Sequence, residues 1–258
     1  MARATFYYHL KELKQPDKYK FIRQQINDIF EENKGRYGYR RITLELHNKA
    51  IIINHKTVEK LMKESGLKSQ VRLKKYRSYK GTAGKITPNI LKRDFNAISP
   101  NKKWVTDVTE FALFGQKRYL SPILDLYNGE IISYSISDHP NLNMVTSMLT
   151  KALKSVKKNS GLILHSDQGW HYQHVTYQKM LKDQGVLQSM SRKGNCLDNA
   201  VMENFFGLLK SELLYLQSFT SIQNFESELE NYIDYYNNFR IKSKLKGLSP
   251  VKFRTQSF

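Results

Sequence analysis

Apolar residues recur at helical spacing between Tyr19 and Gly66. Phe21, Ile22, Ile26, Ile29 and Phe30 form one stripe, and Ile42, Leu44 and Leu46 continue it after a break at Gly38. A short turn, Ile52 to Asn54, leads to a second helix over Lys56 to Lys63. It carries Val58, Leu61 and Met62 inward and Lys60 and Lys63 outward, with Gly66 placed as a C-terminal cap. The period then changes. WVTDVTEF (104–111), RYLSPILDLY (118–127) and EIISYSIS (130–137) are β-branched and aromatic runs, joined through Gly115 and through Asn128-Gly129, a strong hairpin signal. A helix follows from Asn143 to Val156, with Met144, Val145, Met148, Leu149 and Ala152 on one face. After it come the strand LILH (162–165), a helix over Val175 to Gln184, the strand VLQSM (186–190) and a long helix from Asp198 to Leu216. A last helix spans Ile222 to Arg240, and its Tyr232, Tyr235, Tyr236 and Phe239 read as a packing face. Three antiparallel strands followed by alternating helices and strands predict an α/β domain with a mixed sheet.

Between Lys68 and Lys103 the pattern lapses. Eleven Lys or Arg stand there against the single acid Asp94, interleaved with Tyr76, Tyr79, Gly81, Gly84, Pro88 and Pro100, which reads as a basic linker. The chain therefore divides into a helical region 1–67, a linker 68–100, a catalytic core 101–217 and a helical extension 218–258.

Charge sharpens the picture. A net charge of +19 on 258 residues is a self-repulsion that a polyanionic partner would offset, and nucleic acid is the first candidate. No long apolar run or signal-peptide pattern supports a membrane partner. The two N-terminal helices, with Arg36, Arg40, Arg41, His55 and Lys56 on or near them, read either as a helix-turn-helix DNA reader or as a helical hairpin with a solvated basic face. The one cysteine, Cys196, rules out an internal disulfide and fits the cytoplasm. Seven scattered histidines give no zinc spacing, so a bound metal would need oxygen ligands, as magnesium or manganese does.

Breaking or making a phosphodiester puts charge on both the attacking and the leaving oxygen, and two divalent cations about 3.5–4 Å apart can clamp both. Three acids stand where rigid elements would hold such ions. Asp107 lies inside the first strand, Asp167 follows LILH in HSDQGWHY at a strand's carboxyl end, and Glu203 lies on the helix DNAVMENFFGLLKSEL. Lys210, seven residues after Glu203, shares its face and could hold a phosphate. Asp198 competes near the third position but suits a helix N-cap, and Asp125 and Glu110 read as strand-edge charges. The loop SRKGNCLDN (191–199), with Arg192, Lys193 and Gly194, reads either as a flexible, cationic lid that grips DNA through Arg192, Lys193 and Asn199 or as an ordinary loop that caps a helix, the first being favoured by its place beside Glu203. His165, His171 and His174 read as polar neighbours of a scissile strand or as surface residues.

WVTDVTEF, LHSDQGW, SMSRKGNCLDNAVMENFFGLLKSEL and YYNNFRIKSKLKGLSP resemble, in order and spacing, the OrfB transposases of bacterial insertion sequences, which are related to retroviral integrases. RYGYRRITLELHNKAIIINHKTVEKLMKESGL is similar to that family's pre-catalytic domain, so the resemblance covers nearly the whole chain. It implies an RNase H-like core with a five-stranded mixed sheet, dependence on magnesium with manganese as substitute, and a triad with 35 residues between the second Asp and the Glu, as between Asp167 and Glu203. It also implies Lys210 as a DNA contact and attack by a nicked 3′-hydroxyl, with a circular intermediate that is then inserted. Further implications are a homo-oligomer on transposon-end and target DNA near the nucleoid, and an upstream OrfA product commonly fused by frameshifting. Two positions depart from the family pattern: Lys242 stands where a histidine is common and Leu197 where a tyrosine is common. The opening ARATFYYHLKEL looks like the tail of a helix-turn-helix that begins further upstream.

Overall fold

The computed structural model describes residue 3, residues 17–69 and residues 85–256, so the opening ARATFYYHLKEL, apart from Arg3, and linker residues 70–84 lie outside the described residues. The chain forms two compact units, residues 1–71 and 72–258.

In the first unit the described residues form helices and turns, with no strand among them. Helices α1 (Lys20–Glu32), α2 (Tyr39–Asn48) and α3 (His55–Glu64) pack against one another. Their amphipathic stripes meet, burying Ile26 and Ile29, Ile42 and Leu46, and Val58, Leu61 and Met62. Asn54 caps α3 by accepting from the Lys56 amide at 2.8 Å. Gly66, at φ +70°, ends it, with Leu67 N–H donating to the Met62 carbonyl at 2.8 Å. One expectation fails: Phe21 is 64% exposed, outside the buried stripe.

The second unit is a mixed α/β structure around one sheet. Its strands are β1 (Lys103–Thr106), β2 (Thr109–Leu113), β3 (Gln116–Asp125), β4 (Ile131–Ser137), β5 (Ile163–Ser166) and β6 (Leu187–Met190). The sheet has six strands rather than the expected five, because the run 104–111 is divided at Asp107 and Val108. β3 explains the division. Trp104 to Thr106 of β1 pair with Asp125 to Ile123, and Thr109 to Leu113 of β2 pair with Leu120 to Gln116, in one unbroken antiparallel register. That register sets Asp107 opposite Pro122, whose ring nitrogen has no hydrogen to donate, and there the ladder opens.

β4 returns beside β3 across the predicted Asn128-Gly129 turn, with Gly129 at φ +69°. β5 joins β1 and β6 joins β5, both in parallel. Helices cover both faces. On one lie α4 (Leu142–Leu153), α5 (Trp170–Gln173) and α6 (Val175–Gln184), packed on Trp104, Ile123 and Leu164. On the other lie α7 (Ala200–Leu209) and α8 (Ile222–Asn238), packed on Val105, Phe111, Leu120 and Leu124. All five residues expected on the inner face of α4 are buried. The helix expected from Asp198 to Leu216 is instead a 3₁₀ turn (Cys196–Asn199), then α7, then a π turn (Lys210–Leu214). Of the tyrosine stripe, Tyr232 and Tyr236 are buried in the core while Phe239 is 62% exposed.

Residues 85–102, placed by composition in a basic linker, are built into this unit. Leu91 is buried in the core, and the Ile90 and Leu91 amides donate to Ser189 Oγ of β6 at 2.9 and 3.1 Å. At the other end, α9 (Pro250–Thr255) seals the β3–β4 turn: Asn128 donates to the Pro250 carbonyl at 3.0 Å, and Arg254 donates to Glu130 at 2.8 Å. Asp125 is correspondingly no strand-edge charge. It is fully buried, accepting from the Asn101 and Tyr127 amides at 2.8 and 3.0 Å with Arg254 at 3.6 Å. Glu110 is exposed and bonded to Tyr119 at 2.7 Å.

Candidate active site

Adjacent parallel strands place two of the three acids. Val105 pairs with His165, and two residues further the same register brings Asp107 level with Asp167, each just past the carboxyl end of its strand. Alternation from Val105 keeps Asp107 on the face covered by α7, which carries Glu203. All three acids are half-buried.

The charges of the other two acids act on Asp107. Burial raises the Asp107 carboxyl well above its ordinary range, and the charges of Asp167 and Glu203 raise it further. The Val108 amide opposes this by donating to Asp107 Oδ1 at 2.7 Å, as does the Asn199 amide, which donates to Oδ2 at 3.1 Å. Burial also raises Asp167, against the Gly169 amide that donates to its Oδ1 at 2.8 Å, and burial raises Glu203. Tyr172 is fully buried, its hydroxyl pushed up by burial and by the charges of Asp107 and Asp167. Gly169 is closely fitted: a Cβ there would lie 3.0 Å from Asp167 Oδ1 and 3.2 Å from His171 Nε2, so those side chains would have to give by a few tenths of an ångström. Among the described residues no three His, Cys, Asp or Glu side chains are grouped so as to hold one metal ion between them.

The histidines are not surface residues of one kind. His165 is wholly buried, its Nδ1 is 2.8 Å from Ser189 Oγ, and burial lowers it to about 4. His171 is buried and likewise lowered to about 4, while His174 caps α6 by accepting from the Thr176 amide at 3.2 Å.

The expected DNA contacts are scattered. Lys210 lies over the Phe111 ring at 5.6 Å and lowers nearby Glu110, which sets it beside β2. Lys193 is exposed on its loop. Arg192 is exposed but bonded to Asp198, and Asn199 is buried against Asp107. Asp198 is no helix N-cap: it is fully buried, and its bonds to Arg192 hold it far below the usual carboxylate range. The loop 191–199 is thus pinned at Asp198. In the first unit, Arg40 donates to Tyr39 Oη at 3.2 Å, and Tyr39 stacks on His55 at 6.2 Å, linking the starts of α2 and α3. Arg41 lies over Tyr37 at 5.4 Å, and Lys56 is exposed on the first turn of α3.

Sequence reasoning missed Gly169, the Asn199 contact with Asp107, and the partners of Asp198. The Asp198-Asn199 pair just ahead of the Glu203 helix was the available signal.

A mixed sheet covered by helices on both faces, with Asp107 and Asp167 level at the ends of neighbouring parallel strands, is the architecture of an RNase H-like core. Family models agree: an integrase core domain matches residues 98–196, a second integrase core domain model matches residues 203–258, and an HTH-like domain matches residues 16–75. The chain is 55% identical over its whole length to the InsK transposase of insertion sequence IS150 from Escherichia coli K12, covering 91% of that protein. It is 36% identical to the IS904 transposase of Lactococcus lactis, over 95% of this chain and 98% of that one. Among solved structures, the simian T-cell lymphotropic virus intasome in complex with PP2A regulatory subunit B56 gamma matches with a TM-score of 0.50 at 16% identity, over 63% of this chain and 58% of that one. The magnesium complex of the HTLV-2 integrase catalytic core domain matches with a TM-score of 0.49 at 18% identity, over 61% and 98%. The chain belongs to the integrase-core transposases of bacterial insertion sequences. These are polynucleotidyl transferases, which cleave DNA and transfer its strands.

Proposed function

We propose that Asp107, Asp167 and Glu203 are the metal-binding catalytic acids of this transposase, and that they take two magnesium ions, with manganese as substitute. The observation that carries this reading is the parallel register that sets Asp107 level with Asp167 at the ends of adjacent strands, beside the helix that carries Glu203. The donor set fits: hard divalent cations take carboxylate oxygens, and a cation between mutually repelling acids relieves the repulsion that raises Asp107. The integrase core family is metal-dependent. A two-ion arrangement needs no ion to hold all three acids, since Asp107 can share one with Asp167 and one with Glu203.

When bound, the ions would supply charge to the attacking and leaving oxygens. The chain's own residues hold the frame. The Val108 and Gly169 amides fix Asp107 and Asp167 from the protein side, and the apolar face of α7 fixes Glu203. In the reaction a 3′-hydroxyl oxygen forms a bond to phosphorus as the bond to the outgoing oxygen breaks, and the proton lost by the first is returned to the second through solvent. No covalent enzyme intermediate is needed. Lys210, Lys193, Arg40, Arg41 and Lys56 would bind phosphates, and the chain would work in the cytoplasm as an oligomer on DNA with an OrfA partner or fusion. Among the described residues no helix is long and apolar enough to cross a membrane.

The test is a strand-transfer assay on labelled DNA carrying the element's own ends, with magnesium or manganese. Joined product that depends on metal and vanishes with Glu203→Gln supports the assignment; product surviving in that variant overturns it.

A further inference from the structure

The segment leading into the core is bonded to the loop beside the acids. Asp198 is its anchor. Oδ1 accepts from Arg93 Nε at 2.7 Å and Arg192 Nη2 at 2.9 Å, and Oδ2 accepts from Asn89 Nδ2 at 3.0 Å, the Arg192 amide at 3.0 Å and Arg192 Nε at 2.9 Å. Arg93 also donates to Asn195 Oδ1 at 2.7 Å. The strap is shaped for these bonds. Lys92 and Arg93 take left-handed φ values of +49° and +64°, which residues with a Cβ disfavour, while the Lys92 amide donates to Asn89 Oδ1 at 2.7 Å.

Next to Asp198 stands Asn199, 4% exposed, whose side-chain amide donates to Asp107 while its Oδ1 is buried with no hydrogen-bond partner among the described residues. With one side-chain bond among the described residues, Asn199 is oriented on one side by Asp107 and on the other by a backbone that Asp198 fixes. We propose that Asn89 and Arg93 are positioning residues which, through Asp198, hold Asn199 against Asp107 and so set the place of that carboxylate for its metal. This rests on the reading that Asp107 binds metal. Residues outside a metal's direct ligands commonly govern affinity in this way, by fixing the ligand's orientation.

The experiment uses the full chain with Arg93→Ala, Asn199→Ala, the two combined, and Asp107→Asn. Manganese binding is followed by the electron paramagnetic resonance of free Mn²⁺, alongside affinity for end DNA and strand transfer against metal concentration. Arg93→Ala and Asn199→Ala should each raise the half-saturating manganese concentration about 10-fold. The double variant should be scarcely worse than either, since both act along one path. End-DNA affinity should stay within about twofold, and strand transfer should recover at high metal. Arg93→Lys and Asn89→Ala, milder changes, serve if Arg93→Ala does not fold. Unchanged manganese binding, additive effects, or loss of DNA affinity in place of metal affinity would each overturn the proposal. If Asp107→Asn itself binds manganese and transfers strands normally, the assignment of Asp107 fails instead.

Discussion

Arg240 closes a two-pronged ion pair on Glu212 inside the larger unit: Nε donates to Oε2 at 2.7 Å and Nη2 to Oε1 at 2.6 Å, with Tyr232 Oη donating to Oε2 at 2.9 Å. The pair links the π turn after α7 to the end of α8, and both side chains are nearly out of solvent.

Breaking such a pair on one side strands a buried charge. Arg240→Ala should therefore cost about 3–5 kcal/mol in urea unfolding. Exchanging both partners at once, Arg240→Met with Glu212→Leu, should recover most of that loss. Equal losses in the single and double variants would show that packing, and not the stranded charge, dominates.

Asp107→Asn should abolish strand transfer and retain DNA binding, and it should stabilise the metal-free protein at neutral pH. An acid raised in the fold prefers its proton there. Its contribution is present at low pH and is lost as pH rises through the folded value, so the ionised group is a liability when no cation is bound. Calorimetry in a chelator, wild type against variant, measures this. A variant no more stable at pH 7 than the wild type contradicts the argument.

The buried histidines give the opposite slope on the acid side. His165, lowered from 6.5 to about 4 by burial, folds neutral. Its contribution is whole above about pH 6.5 and is lost as pH falls toward 4, at about 1.4 kcal/mol per unit between the two values. His171 adds to the same window. Stability should drop across it, and His165→Gln should flatten the drop; denaturant midpoints at stepped pH decide.

Lys210→Ala should weaken binding to all DNA sequences about equally and reduce the slope of log affinity against log salt by about 1, the signature of one lost phosphate contact. Unchanged binding across salt would leave Lys210 to its contacts with Phe111 and Glu110.

What the sequence made legible was what short periods encode. The five inward positions of α4, the bounds of α6 and the Asn128-Gly129 turn follow from spacing within a few residues. Asp107, Asp167 and Glu203 could be picked out because each breaks the apolar pattern of a rigid element or stands at its end. Asp198 was misread because, beyond Arg192 in its own loop, its partners Arg93 and Asn89 lie 105 and 109 residues away, a pairing that no local pattern records. The strap was read as a linker for a related reason: its lysines and arginines dominate its composition, while Leu91, two backbone amides and the bonds of Asn89 and Arg93 do the docking. The π turn was invisible because apolar spacing alone does not distinguish it from one more turn of α-helix.

The opening in the first strand is a notch and not a joint. Because Pro122 interrupts the ladder without shifting its register, β1 and β2 stay in phase, and every side chain beyond the notch keeps the face it would have had. The fold gives up a ladder bond at one place and keeps its pleat. A donor restored at that place, as by Pro122→Val, would let the ladder heal around Asp107 and draw its backbone into the sheet, so a residue with no chemistry of its own governs how far the acid stands clear of the strand that carries it.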